Sequence, residues 1–237
     1  MKPLASAGSR VGILVVAAAL LAGSATLHDD GTAPAFARPA SVDWPRPAVA
    51  PPIPAPLTDP GLSLRAPPVA VPIEILLPTL GQRAAVLGVG MLANNVMDAP
   101  MGPAASPVWQ QAFWYRGSAV PGEASSAVIA GHISDPLGRP GVFARIGELR
   151  AGDPIVVHDT RSGLDVQFTV TDGKSYPIEE TNDPAVLTEI YGAGPVAGTW
   201  AKPSVDGHCY LMLVTCDPTL RNGTHDHRLV IHAIGVT

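Results

Sequence analysis

Short apolar segments, each of nine residues or fewer and separated by Gly, Pro and Asp, recur from residue 69 to the C-terminal end. They cover residues 69–77, 84–92, 127–130, 154–158, 166–170, 210–214 and 229–234. Segments of this length without a sustained 3.6-residue period cannot build a helical core. Strands bounded by turn formers can, so the pattern argues for an all-β barrel or sandwich. Two short helices are expected, near 142–149 and 183–190; in the second, Asp183 is placed to cap and Pro184 to fill the first turn.

The composition divides the chain. Thirteen of its 26 prolines fall between Pro34 and Pro78. Proline at that density removes backbone donors and favours extended polyproline II, so residues 31–78 read as a largely disordered, semi-rigid stalk. Residues 1–30 contain Lys2 and Arg10, followed by an apolar run from Val11 to Ala22. A basic start and an uncharged stretch of this size suit either a cleaved signal peptide or a short signal anchor. Residues 79–237 are long enough for one domain with its own core.

Charge and motif content exclude several function classes. The net charge is −5, with no basic stripe interleaved with aromatics, which argues against nucleic-acid binding. His225, Asp226 and His227 lie near His208 and His232 in sequence, but no Cys or His set follows a closed zinc pattern, so no metal is expected. Neither Gly88-Val89-Gly90 nor Gly192-Ala193-Gly194 has the strand-to-helix context of a phosphate loop. No cofactor is expected.

Three residues fall at the ends of predicted strands. His132 follows the apolar segment 127–130, Cys216 follows 210–214, and Arg228 precedes 229–234. If the last two segments pair as an antiparallel hairpin, Cys216 and Arg228 become neighbours at its mouth. A thiol, an imidazole and a guanidinium supply what cysteine acyl transfer needs: a nucleophile, a proton shuttle and a donor for the developing oxyanion. Arg stays charged at any working pH, which leaves His132 as the shuttle. The order His before Cys is the reverse of papain-like proteases, and the caspase signature is absent. Cys209 lies seven residues before Cys216, a span of roughly 23 Å in an extended strand, too far for a disulfide. It reads as a core filler. Asp217 would bring a carboxylate beside the sulfur and disfavour the thiolate, with Arg228 as the compensating cation.

The combination Ala130-Gly131-His132, Leu213-Val214-Thr215-Cys216 and Arg228-Leu229-Val230-Ile231-His232-Ala233 resembles the signature of the sortases, cysteine transpeptidases of the Gram-positive cell surface. The resemblance spans about residues 69–237. Trp114-Tyr115-Arg116-Gly117, Pro121-Gly122-Glu123, Val142-Phe143-Ala144-Arg145-Ile146 and Leu149-Arg150-Ala151-Gly152-Asp153 are similar to actinobacterial class F members. The C-terminal end, where Asp217-Pro218 stand in place of glycines, looks closer to class E.

The resemblance implies a closed eight-stranded β-barrel. It implies Cys216 as the nucleophile of a thioacyl intermediate, His132 as general acid and then base, and Arg228 as the partner of the substrate backbone or oxyanion. Its partners would be a surface-protein sorting peptide and an amine acceptor, either a cell-wall precursor or a pilin-like lysine, with water as the hydrolytic alternative. It favours an N-terminal membrane anchor with the catalytic domain outside the cell, or secretion if the segment is cleaved. The alternative reading is a non-catalytic extracellular β-barrel that binds a peptide or surface partner, with Cys216 retained as packing.

Overall fold

The computed structural model describes residues 63–92, 96–192, 201–220 and 223–236. The expected signal or anchor segment and the stalk as far as residue 62 lie outside the described residues. Among the described residues, no helix is long and apolar enough to cross a membrane.

Eight strands close a barrel: β1 (Val69–Leu77), β2 (Gln82–Val89), β3 (Ala112–Tyr115), β4 (Ser126–Gly131), β5 (Pro154–Asp159), β6 (Asp165–Pro177), β7 (Tyr210–Cys216) and β8 (His227–Gly235). Their order around the barrel is β1-β2-β3-β4-β7-β8-β6-β5. Two neighbouring pairs, β2 with β3 and β4 with β7, are parallel, and the others are antiparallel. This is the all-β, closed eight-stranded architecture expected. The expected helix at 142–149 is only a 3-10 turn at Ile146–Glu148. The second is α1 (Pro184–Tyr191), where the Asp183 carboxylate accepts the Ala185 N–H at 2.8 Å and Pro184 fills the first turn.

Alternation sorts side chains between an interior core and the outer wall. On β4 and β7, Ala127, Ile129, Leu211 and Leu213 face inward and join Ile73, Ile75, Trp114, Phe168 and Ile231. Val128, Met212 and Val230 face outward, yet they too are buried, with Ile190 of α1 and Tyr115. Strands covered on both faces read as continuous apolar runs, which is why 127–130 and 210–214 lack a polar alternate. β3 escapes a pattern reading for the same reason. All four of its residues are buried, and an Ala-Phe-Trp-Tyr run carries no period.

The first strand lies inside the span 31–78 that reads as stalk. Its one proline does not stop it, because Pro72 sits at the irregularity between Ala70 and Glu74, and Pro78 comes only after the last paired residue. Ile73, Ile75 and Leu77 are each 1% exposed. Ahead of β1, the carbonyl of Leu64 accepts the Met91 N–H at 2.7 Å, and that of Ala66 accepts from the buried Arg116 guanidinium. Burial lowers the Arg116 pKa, and nearby Asp98 opposes that shift.

A chain beginning at residue 63 is expected to unfold cooperatively. One beginning at residue 79 lacks β1, which leaves β2 and β5 without their shared neighbour and removes three core side chains. Burial of each contributes about 1.5–3 kcal/mol, so the shorter chain should show no cooperative thermal transition by circular dichroism.

Candidate active site

Parallel pairing brings the ends of β4 and β7 to the same edge of the barrel. Val128 pairs with Met212 and Ala130 with Val214. Across the next boundary, Met212 pairs with His232, Val214 with Val230, and Cys216 with Arg228. Two rows of outward side chains result, Val128–Met212–His232 and Ala130–Val214–Val230. Continuing the register by two residues sets His132 beside Cys216 and Arg228 in a third row. The buried Thr215 hydroxyl donates to the Gly131 carbonyl at 2.9 Å, tying the strand ends together where the ladder stops.

His132, Cys216 and Arg228 all line one cleft of ≈ 390 Å³ on the outer wall. Sequence reasoning missed its walls. Leu187, Ile190 and Tyr191 of α1 form one side, and Val96, Met97 and Ala99 come from the β2–β3 connection. Neither segment carries a chemical motif, so only tertiary packing reveals them. No carboxylate is among the lining residues described. Tyr191 feels two opposing effects: burial raises its phenol pKa, and the positive charge of Arg228 pulls it back. Its ring meets Tyr115 edge to face at 5.7 Å, and burial pushes the Tyr115 phenol up to about 12.

His132 is held on three sides. Its ring centroid lies 4.6 Å from Trp109 and 5.2 Å from Phe113, and its Nε2 lies 2.8 Å from the Pro100 carbonyl oxygen. Its own carbonyl accepts the Phe143 N–H at 3.0 Å. A Cβ at Gly141 would stand 2.4 Å from that carbonyl, so only glycine allows this approach.

The loop after His132 is tied by Asp135, whose carboxylate accepts the N–H groups of Leu137 and Arg139 and pairs with the Arg139 side chain at 2.6 Å. Burial alone would raise the Asp135 pKa, but the Arg139 side chain and the two amides outweigh it and hold the carboxyl below its ordinary value.

Asp217 does not take the position expected for it. One residue beyond Cys216, it falls on the side of Thr215, away from the cleft. Its carboxylate accepts the Ser175 hydroxyl and the Thr219 N–H, the latter at 2.8 Å. Ser175 is the β6 partner of Leu229, which is itself the partner of Thr215. The reason is alternation together with satisfiable donors on the inner side. Arg228 therefore does not have Asp217 as its counter-charge within the cleft.

Both cysteines are free and partly exposed. Cys209 packs against the interior core, beside Gly235, where an added Cβ would stand 2.0 Å from its sulfur. Burial raises its thiol pKa. Two His Nδ1 atoms at the approach to β8 have local partners: that of His225 meets the Asp217 carbonyl and that of His227 the Asp226 carboxylate, each at 2.7 Å.

A family model described as a sortase domain matches residues 76–236, more than half of the chain. The chain belongs to the sortase family. Among solved structures, sortase A from Corynebacterium diphtheriae, as a lid mutant, is 19% identical with a TM-score of 0.47 and covers 73% of each chain. Sortase C-1 from Actinomyces oris is 17% identical with a TM-score of 0.46, covering 70% of this chain and 73% of that one. The pilus-related sortase C of Group B Streptococcus is 17% identical with a TM-score of 0.46, covering 71% of this chain and 68% of its own. No curated protein sequence matches.

Two outcomes test this description. Asp217→Asn should cost roughly 1 kcal/mol of stability through its weakened hydrogen bonds, while iodoacetamide modifies Cys216 at neutral pH within about twofold of the parent rate. A large rate change would place the carboxylate beside the sulfur after all. For Asp135 the depressed folded pKa has a definite sign. Its contribution is present above the ordinary carboxylate value of about 3.9 and is lost as pH falls through the lower folded value. Asp135→Asn should therefore flatten the acid limb of unfolding free energy against pH and lower stability at neutral pH.

Proposed function

We propose that this chain is an extracytoplasmic cysteine transpeptidase in which His132, Cys216 and Arg228 carry the chemistry. The observation that supports it most is the convergence of three outward side chains, at the ends of β4, β7 and β8, on one cleft with no carboxylate among the described residues that line it. The Cys216 sulfur attacks the carbonyl carbon of a peptide bond in a sorting-type motif. Arg228 donates to the oxygen that becomes negative, and His132 gives its proton to the departing amine as the C–N bond breaks. An acceptor amine, from a cell-wall precursor or a pilin-like lysine, then attacks the thioester, loses its proton to His132 and expels the thiolate. Water in place of the amine gives hydrolysis.

Retention of residues 1–30 as a single-pass anchor would hold the barrel outside the membrane at the end of the stalk. Within the family, the segments around His132 that resemble class F members, with a C-terminal end that resembles class E, support a subclass near those two.

Mass spectrometry of the full-length chain, mixed with a pool of sorting-type peptides, should show a thioester adduct on Cys216. Cys216→Ala should abolish it, and Arg228→Ala should slow acyl transfer by roughly 10²–10³-fold. Cys209→Ala should lower the melting temperature and spare the adduct. Peptide binding without any adduct would instead make the chain a non-catalytic peptide-binding barrel. Loss of the adduct in folded Cys209→Ala would reassign the nucleophile.

A further inference from the structure

The β2–β3 connection does more than wall the cleft. A carbonyl oxygen can only accept, so the 2.8 Å contact between His132 Nε2 and Pro100 is a hydrogen bond in which Nε2–H donates. In the neutral ring this leaves the Nδ1 lone pair as the acceptor. Pro100 and Pro103 bracket a four-residue stretch, Pro100-Met101-Gly102-Pro103, with φ fixed at both ends. The Pro103 carbonyl accepts twice, from the Ser106 N–H at 2.8 Å and from the indole Nε1–H of Trp109 at 2.9 Å. The neighbouring Ala104 carbonyl accepts from Arg139. Trp109 is 4% exposed, and its ring also lies 4.6 Å from the His132 ring. One side chain thus holds both the imidazole and the strap whose carbonyl accepts the hydrogen bond from its Nε2–H.

We infer that Trp109 is a positioning residue for acyl transfer: through Pro103 it fixes the Pro100 carbonyl, which holds His132 as the Nε2–H tautomer and assigns the moving proton to Nδ1. The inference rests on the function proposed above. In the ionised Cys216–His132 pair both ring nitrogens carry protons. As the C–N bond of the peptide breaks, the Nδ1 proton passes to the leaving amine, while Nε2 keeps its proton, hydrogen-bonded to the Pro100 carbonyl. The neutral ring then has its lone pair on Nδ1, ready to take a proton from the incoming amine as the new C–N bond forms and the C–S bond breaks. The main-chain carbonyl fills the orienting role that a carboxylate or amide side chain fills elsewhere. The described residues that line the cleft include no carboxylate, and the carbonyl orients the ring without adding a negative charge.

The test replaces Trp109 in the full-length chain by 3-benzothienylalanine, which keeps the ring shape and deletes the N–H donor, and in parallel by Trp109→Phe. The nitrogen spectrum of 15N-histidine-labelled protein is recorded at about pH 8.5, above the ordinary imidazole pKa of about 6.5, with His132 assigned by its loss in His132→Gln. The parent protein should show His132 as the Nε2–H tautomer, and the isostere should show an Nδ1–H admixture. With peptide and amine, the isostere should lose roughly tenfold in kcat with KM for the peptide unchanged, as expected for a lost orienting contact. A purely packing role would leave the tautomer alone. An Nδ1–H ring in the parent, or identical spectra and rates in the isostere, would overturn the inference. Absence of turnover in the parent would remove the acyl-transfer reading, while the two spectra would still decide whether Trp109 sets the tautomer.

Discussion

The candidate site depends on one constraint, the parallel register of β4 on β7. Antiparallel neighbours place the end of one strand beside the start of the next, which suffices for Cys216 and Arg228 across the β7–β8 pair. His132 is 84 residues away from Cys216 in sequence. Only a parallel neighbour lets two strands exit at the same edge, and a shift of one residue would turn His132 to the barrel interior. The continuous inner row of Ala127, Ile129, Leu211 and Leu213 makes such a shift expensive, because it would expose core side chains and bury outer ones. The Thr215–Gly131 hydrogen bond extends that specification to the last residues before the cleft.

A barrel wall alone is convex and makes a poor binding surface. Here α1 and the β2–β3 connection stand on it and turn the outer face of β4, β7 and β8 into a cleft. An isolated eight-residue helix would be marginal in water, so α1 persists through its Asp183 cap and the burial of Ile190 against the wall. The same burial requires the outward residues of β4 and β7 to be apolar. Packing and function are thus linked through composition: the strands that carry His132 and Cys216 are covered on both faces because the site needs a roof.

Much of this was legible in the sequence, for physical reasons that differ by element. Seven of the eight strands announce themselves by short apolar or alternating runs, and the Asp183-Pro184 pair announces α1. β3 did not, because four consecutive buried residues carry no period. The expected stalk, 31–78, overlaps β1 because dense proline looks like a break in any ladder, whereas Pro72 sits at a ladder irregularity that tolerates it. His132, Cys216 and Arg228 could be found because their residue types are chemical and sit at strand ends. Trp109, Pro100 and Tyr191 could not, since an indole, a main-chain carbonyl and a phenol acquire roles only through what folding places beside them.

Charge shows the same limit. From sequence, Asp217 abuts the proposed nucleophile and a negative field on the sulfur is the natural expectation. In the fold, one step along a strand is a change of face, and the carboxylate finds the Ser175 hydroxyl and Thr219 amide on the inner side. The outer side keeps Arg228 and His132 in a cleft whose described lining has no carboxylate. In the acyl transfer proposed above, negative charge develops on the carbonyl oxygen, and a cleft that keeps the Arg228 guanidinium while the Asp217 carboxylate turns to the other side of the wall suits that oxyanion. Alternation, a property of the backbone, does the sorting that adjacency in the sequence obscures.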